Sequence, residues 1–458
     1  MKVCVIGAGY VGLVAGVCLA EKGFHVTCID TDAEKVKKIN NCIPPVLENG
    51  LEDLLKKNIS NNHFVASSNL KRAVAESDIS MVAVCTPVVN GKVELDFLRD
   101  AVKECGSALK ERKAYHVVVV KSTVPPGTTD EVVLPILEKY SGKKAGVDFG
   151  VGMNPEFLRE GCAVSDFMHP DRIVIGGIDR KTIDKMLDLY KAFEGVDILI
   201  TNNKTAELIK YASNSLLATL ISFSNEIANI CALTQNVDIK EVMAGVHLDK
   251  RLNPILADGS RAKPGILSYL EAGCGFGGSC LPKDVAALVC YARRKGEYCK
   301  LLRSVIQVNR KQPEKLIQLL HKYNGSTKNL KVAVLGLAFK PDTDDMRESP
   351  AIPVIESLLQ EGVHIKAYDP AAKENARKIF GTTNIKYTES LREAVVNVDA
   401  IILITRWKEF RNLHTVINEL GSQPLIIDGR RMLNKGAYIR YDGVGLGNQK
   451  EGLDKQVF

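Results

Sequence analysis

The chain has 458 residues, 45% hydrophobic and 25% charged, with a formal net charge of +7. That length exceeds what one hydrophobic core serves and implies two to three domains, while the ordinary composition excludes collagen-like, disulfide-scaffold and wholly disordered chains. The positive excess is spread thinly, with no dense Lys/Arg block interleaved with aromatics. No nucleic-acid partner is therefore expected, and a small anionic molecule fits at least as well.

The opening run "MKVCVIGAGYVGLVAGVCLA" begins with Lys and continues apolar, as a signal peptide would. Regular glycines interrupt it and it leads straight into "EKGFHVTCID", so it is read as part of the fold. No other apolar run is judged long enough to cross a bilayer, and no membrane partner is expected. Residues 3–7, "VCVIG", form a short strand, an apolar stretch with helical spacing follows, and "HVTCID" is the next strand: a βαβ unit. In "GAGYVG", Gly7, Gly9 and Gly12 make G-x-G-x-x-G directly after a strand and at a helix start, with Tyr10 and Val11 inside the turn. Gly7 permits the tight turn, Gly9 lets backbone approach a pyrophosphate, and Gly12 lets helix and strand pack closely. Asp30 ends the second strand, where a carboxylate binds ribose hydroxyls and repels a 2′-phosphate. NAD is expected rather than NADP, although Lys35 nearby weakens that discrimination.

Further strands are expected at residues 79–87, 116–123, 149–156 and 171–177, with helices between. Near-continuous apolar strands of this kind imply a parallel sheet covered on both faces, an α/β fold. Residues 204–235 contain no Gly or Pro and carry apolar residues at helical intervals, which predicts one long helix. A helix of that length is expected to separate two lobes and to offer a face to a second subunit. After the linker "HKYNGSTKNL" the opening pattern returns as "VAVLGLAFK" and "HIKAYDP", strand, glycine turn, strand, Asp. The result is two Rossmann-like lobes with parallel sheets, joined by a long central helix and a helical middle domain. The second lobe keeps only Gly336 of the fingerprint. Lys340 and Arg347 beside that turn suit phosphate or carboxylate recognition rather than a second dinucleotide.

Residues 273–284, "GCGFGGSCLPKD", have the glycine density of a phosphate loop but carry Cys280 where such a loop carries Lys and Ser. Pro282 fits the first turn of a helix that continues "KDVAALVCYARRKG". Cys280 therefore sits at a helix N-terminus with Lys283 close by, a setting that lowers a thiol pKa, and Asp284 falls one turn on. The other eleven cysteines, such as Cys4, Cys18, Cys28 and Cys85, are scattered through apolar segments and are read as small packed hydrophobes. No C-x-x-C pair appears, so no metal is expected, and the reducing cytoplasm is the compartment implied. A dinucleotide alone suffices to oxidise an alcohol. A thiol is needed when the aldehyde must be held as a thiohemiacetal, oxidised again to a thioester and hydrolysed.

With these motifs in order, "GAGYVG", "CTP", "KSTVPPGT", "NPEFLREG", "PDRIVIGG", "AELIKYASN", "GFGGSCLPKD", "LGLAFKPDTDDMRESP" and "DGR", the chain resembles the UDP-glucose/GDP-mannose dehydrogenase family over almost its whole length. The resemblance implies NAD-dependent four-electron oxidation of a nucleotide sugar at C6, most simply UDP-glucose to UDP-glucuronate, in polysaccharide biosynthesis. It implies Cys280 as nucleophile, Lys210 and Asn214 facing the reacting carbon, and Glu156, Thr123 and Asp284 positioning or activating water. Glu156 is given a general-base role, on the argument that burial raises a carboxylate pKa. Thr86, Thr123, Glu160 and Arg347 join the cofactor site, with Lys283 close to it. Phe157, Leu158, Tyr269, Gly275 and Lys340 line the sugar-nucleotide site, and the glycines before Cys280 are read as clearance for that ligand. Cys274 is left to packing. The domains implied are 1–203 for NAD, 204–325 for the helical and dimerising middle with the Cys loop, 326–446 for the nucleotide sugar, and a disordered polar tail at 447–458.

The segment "PILADGSRAKPGIL" is longer than the family pattern leads one to expect, in a region that receives an arginine across a homodimer boundary. Arg251 is the first candidate for that arginine and Arg261 its rival. "GSCLPKD" resembles the GDP-mannose branch, so GDP-mannose or a UDP-N-acetylhexosamine is the alternative substrate. A two-electron hydroxyacid dehydrogenase would leave Cys280 unexplained. An NAD-sensing redox regulator would leave "NPEFLREG", Lys210 and Asn214 without a task.

Overall fold

Two sheets account for both series of apolar strands in a computed structural model that describes residues 1–89 and 91–448. The residues of the expected tail from 449 onward lie outside that description. The chain divides into two compact units, Met1–Ser213 and Asn214–Phe458.

In the first unit the strands are β1 (Lys2–Ile6), β2 (His25–Ile29), β3 (Phe64–Ser67), β4 (Ile79–Val82), β7 (His116–Val120), β8 (Phe149–Met153), β9 (Arg172–Gly177) and β10 (Asp197–Thr201). A small hairpin pairs β5 (Val88–Val89) with β6 (Lys92–Val93). The eight sheet strands run in the order β10-β9-β8-β7-β4-β1-β2-β3. All pairs are parallel except β8 with β9, so the expected parallel sheet is present with one antiparallel pair. Val117 to Val120, β-branched and buried on both faces, show why the sheet centre reads as one apolar run. β4, β7 and β8 stop sooner than the sequence implied, because "CTP", "KST" and "NPE" leave the ladder at the carboxyl ends of neighbouring strands. Strand order reverses between β1 and β4, and open α/β sheets bind ligands in the crevice at such a switch point.

The second unit repeats the pattern with β11 (Lys331–Leu335), β12 (His364–Tyr368), β13 (Ile385–Tyr387), β14 (Ala400–Leu403), β15 (Leu425–Asp428) and β16 (Tyr441–Gly443). They form one parallel sheet in the order β13-β12-β11-β14-β15-β16. The turn after β11 copies the turn after β1. Gly7 N donates to Ile29 O at 2.7 Å, and Gly336 N donates to Tyr368 O at 2.8 Å. The copy is closed. Asp369, the counterpart of Asp30, accepts from the amides of Leu337, Ala338, Ala371 and Ala372 and from Trp407 Nε1. A carboxylate with both oxygens so engaged has little left for a ribose, as the broken fingerprint implied.

The long helix is Asn203–Leu233, within two residues of its expected ends. With a mean hydropathy of 1.5 over its most apolar stretch it meets the length and composition of a membrane span, which corrects the judgement that no such run exists. Its polar residues Glu207, Ser215, Ser222, Ser224 and Asn225 are buried in protein. Cys4, Cys18, Cys28, Cys105, Cys231 and Cys274 are buried as expected, whereas Cys85 and Cys162 are exposed, so the packed-hydrophobe reading fails for those two.

His116 in β7 is buried, with Nδ1 3.0 Å from Ser77 O and Nε2 2.8 Å from Ser80 Oγ. Burial, with Arg112 nearby, pushes its pKa down to about 3, so the ring folds neutral. An unfolded histidine protonates near 6.5, and the fold is therefore penalised as pH falls below that value. Urea midpoints of wild type and His116→Gln should diverge in pH dependence, with wild type losing about 1.4 kcal/mol per pH unit more between pH 6 and 4. Equal slopes would remove His116 from the acid sensitivity.

Candidate active site

The helix Tyr10–Glu21 starts directly at the glycine turn, with Gly9 as N-cap and no side chain capping its first amides. Those amides are open to an anion at the positive end of the helix. Gly7 has φ +105, and a Cβ there would meet Ala83 O at 2.7 Å. A Cβ on Gly12 would fall 1.8 Å from Gly7 O, whereas one on Gly9 meets nothing within 4 Å, leaving that side of the turn clear for a ligand. Asp30 accepts from Ala8 N at 3.0 Å and pairs with Lys35 Nζ at 3.0 Å. Burial works against its charge, but the Asp32 amide, Lys35 and the Ala8 amide hold its carboxyl below the usual range. The open amides, the clearance at Gly9 and an anionic Asp30 fit NAD, which supplies the hydride acceptor when bound.

The strand-end loops meet beside this turn. Thr86 Oγ1 donates to Thr123 O at 2.8 Å, joining the "CTP" and "KST" segments. Glu156 follows β8, and its Oε1 lies 2.9 Å from Lys210 Nζ of the long helix, with side-chain exposures of 7% and 4%. Its Oε2 accepts from Leu158 N at 2.7 Å. Burial raises the Glu156 pKa, but the charge and hydrogen bond of Lys210, the Leu158 amide and Lys121 outweigh it and hold the carboxyl below its ordinary value. This corrects the argument for a base made strong by burial: Glu156 is an anion at neutral pH, suited to orienting water. Phe157 is half-buried with the Arg172 guanidinium 3.9 Å from its ring centroid. Leu158 and Val11 pack on the apolar core under the helix Tyr10–Glu21, and Glu160 is half-buried.

In the second unit Cys280 is the N-cap of the helix Leu281–Arg294, with Pro282 in the first turn as expected. Ser279 Oγ lies 3.6 Å from its half-buried sulfur. Asn214 Nδ2 donates to Asp284 Oδ2 at 2.6 Å, and Lys283 Nζ lies 2.7 Å from Asp284 Oδ1, close but not aligned as a hydrogen bond. Asn214, Lys283 and Asp284 thus form one cluster at the start of the helix that Cys280 caps. The glycines before Cys280 have a different task from the one expected. A Cβ on Gly277 would sit 2.2 Å from Glu348 O, and one on Gly278 would sit 2.7 Å from the Phe339 ring. Their clearance is taken up by the chain's own "FKPDTDDMRESP" segment, and Gly278 N donates to Arg347 O at 2.8 Å.

Arg347 grips Asp345 through Nε and Nη2 at 2.6–2.9 Å, and Lys340 Nζ lies 5.7 Å from the Phe339 ring centroid. Tyr269 is half-buried, and Gly275 adopts φ +100 beside Asn309. Arg261 is spent within its loop, donating to Leu248 O and Asn253 O, whereas the Arg251 side chain is 89% exposed and paired with Asp249. Cys274 is buried with its thiol facing Ile404 O, as packing requires.

Three residues escaped sequence reasoning. Arg430 of "DGR" is half-buried and donates to Gly275 O at 2.9 Å and Ile404 O at 2.6 Å, bracing the cysteine loop from β15. Glu207 is wholly buried and accepts from Gly127 N, Thr129 N and Thr129 Oγ1 at 2.5–2.7 Å, tying the long helix to the loop after Thr123. Burial nonetheless pushes it up to about 7. Lys121 of "KST" is buried and donates to Asn154 Oδ1 at 2.8 Å. Charged residues inside otherwise apolar motifs were the available signal for all three.

Two glycine-turn sheets, one open and one sealed, with a thiol at a helix start define a dinucleotide-dependent dehydrogenase. The chain belongs to the UDP-glucose/GDP-mannose dehydrogenase family, whose NAD binding domain matches residues 1–194, central domain 204–311 and UDP binding domain 333–435. It is 40% identical to the UDP-glucose 6-dehydrogenase TuaD of Bacillus subtilis, over 94% of this chain and 90% of that protein. To the UDP-glucose 6-dehydrogenase of Rickettsia conorii it is 36% identical, over 97% and 99%. The structure of a UDP-glucose dehydrogenase from Pyrobaculum islandicum superposes with a TM-score of 0.88 at 36% identity, covering 97% of this chain and 98% of that one.

Burial lowers the Lys121 pKa to about 8, with Glu156 opposing and Lys210 assisting. Below that pH the fold carries the cost of a buried ammonium. The cost is relieved between about 8 and the unfolded value near 10.5, so the sign favours wild type as pH rises. Relative to Lys121→Met, wild type should gain on the order of 3 kcal/mol between pH 7 and 10.5 in urea unfolding. No gain would mean that the ammonium is not desolvated as described.

Proposed function

We propose that the chain oxidises the C6 alcohol of UDP-glucose to the carboxylate of UDP-glucuronate, with two NAD reduced per sugar. The observation that carries this reading is Cys280 at the N-cap of a helix, beside the Asn214–Asp284–Lys283 cluster, in a chain whose first lobe keeps the open dinucleotide turn. The similarity to UDP-glucose 6-dehydrogenases supports UDP-glucose as the sugar.

The first oxidation passes a hydride from C6 to NAD and releases a proton, leaving an aldehyde. The Cys280 thiolate adds to it, and the thiohemiacetal passes a second hydride to a second NAD to become a thioester. Water then releases the carboxylate and restores the thiol. In sum, one alcohol, two NAD⁺ and one water give one carboxylate, two NADH and three protons. The helix start favours the thiolate. Lys210, paired with Glu156, balances the oxyanions, Asn214 and Asp284 order the hydroxyl and the water, and Thr123 and Glu156 also hold water. Tyr269, Gly275 and Lys340 are assigned to the nucleotide sugar, and Thr86, Glu160 and Arg347 to the cofactor.

We further propose a cytoplasmic homodimer built on the long helix, with domain limits at 1–203, 204–325 and 326–446. Leu216, Phe223 and Ile230, 53%, 49% and 56% exposed, recur at seven-residue spacing, a stripe suited to a second copy of the helix. Arg251, exposed where Arg261 is engaged, is the arginine such a partner would receive.

An NADH-formation screen over UDP-glucose, GDP-mannose and UDP-N-acetyl sugars should give turnover with UDP-glucose at least tenfold above the others. Preference for another sugar would replace the substrate but keep the chemistry. Cys280→Ser should lose steady turnover by at least about a thousandfold while still binding NAD; full turnover in that variant would remove the thiol from the reaction.

A further inference from the structure

Tyr10 is the first residue of the helix that follows the glycine turn, and its hydroxyl leaves that turn for another part of the first unit. It donates to Glu48 Oε2 and accepts from Gly161 N at 3.0 Å. Glu48, buried, also accepts from Gly161 N at 2.7 Å through Oε2 and from Ala163 N at 2.9 Å through Oε1. Asn49 closes the set by donating to Gly161 O at 3.0 Å. Gly161 has φ +80, the left-handed conformation that lets its amide turn inward to both acceptors. Burial, and after it the bond to Glu48, pushes the phenol pKa upward, so Tyr10 remains a donor across the working pH range.

The segment held this way is not a neutral piece of scaffold. Residues 154–163 begin at the end of β8, carry Glu156 with its ion pair to Lys210, and end at the helix Ala163–Met168. One end is fixed by Asn154, bonded to Lys121 and to Val174 O, and the other by Glu48. Between the two anchors lie the residues assigned to the sugar and to water. Two hydrogen-bonded steps, Tyr10 to Glu48 and Glu48 to Ala163, connect the glycine turn to the far anchor of that segment.

We propose that Tyr10 and Glu48 are positioning residues that couple the dinucleotide turn to the 154–163 segment, so that NAD and the nucleotide sugar strengthen each other's binding. The proposal rests on the reading of the chain as an NAD-dependent nucleotide-sugar oxidase. By linkage the coupling is reciprocal, and it requires that the two liganded states differ at the Tyr10–Glu48–Gly161 contacts.

The test is a binding cycle with NADH and UDP-glucose, a pair that cannot react. NADH fluorescence titrations of the whole protein, with and without saturating UDP-glucose, give the ratio of the two dissociation constants. In wild type the ratio should be at least about fivefold. In Tyr10→Phe, which keeps the ring and removes the hydroxyl, it should fall to near one, whatever happens to NADH affinity alone. Glu48→Gln, which keeps one carbonyl acceptor, should fall between the two, and it stands in if Tyr10→Phe fails to fold. A merely structural role would shift both dissociation constants together and leave the ratio unchanged. An unchanged ratio in the variants, or a ratio of one in wild type, overturns the proposal. If UDP-glucose does not bind, the substrate reading fails, and the cycle is run with whichever sugar the NADH screen selects.

Discussion

Lys210 and Glu156 are almost without solvent contact, and a charge in that position persists only beside its opposite. The ion pair constrains the first unit at two points. It fixes the roll of the long helix, which carries Lys210, and the course of the chain after β8, which carries Glu156. Glu207, one turn earlier on the same helix, fixes the loop after β7 through Gly127 and Thr129. Lys121 adds a second buried ammonium that favours the Glu156 anion. Two strand-end loops and one helix are thereby locked by four ionisable side chains that a purely apolar design would not need. Buried charges of this kind are costly for stability, and their presence is explained by a task that requires a fixed, dry electrostatic site.

The two sheets show how a duplicated design acquires different uses. Both place a glycine turn after their leading strand and an acidic residue after the next. In the first, Asp30 keeps capacity and the helix amides are uncapped; in the second, Asp369 is consumed by four amides and an indole. Gly336 is pressed against Thr405, where an added Cβ would lie 2.4 Å from a side-chain carbon. The second lobe gives up the dinucleotide turn and braces the cysteine loop instead, through Arg430 and the 339–348 segment.

Much of this was legible in the sequence, because it rests on local rules. The glycine fingerprint, the long helix without Gly or Pro, the second-lobe echo and the helix start at Pro282 each follow from residues near one another in the chain. What escaped depends on partners far apart. The glycines before Cys280 looked like ligand clearance, yet Glu348 O and Phe339 fill the space. Burial of Glu156 was foreseeable; its pairing with Lys210, more than fifty residues on, reversed the direction of the pKa shift. Cys85 sits in an apolar stretch that reads as core, but β4 ends at Val82 and leaves it exposed. Edge strands β3 and β10 are partly exposed and lack the fully buried run of the central strands.

The central claim is that one chain carries an alcohol through an aldehyde to an acid on a cysteine. The most direct measurement is the ratio of NADH formed to UDP-glucose consumed, with the product identified by mass. The account predicts two NADH and a carboxylate gained at C6; one NADH per sugar, with the aldehyde as product, would contradict it.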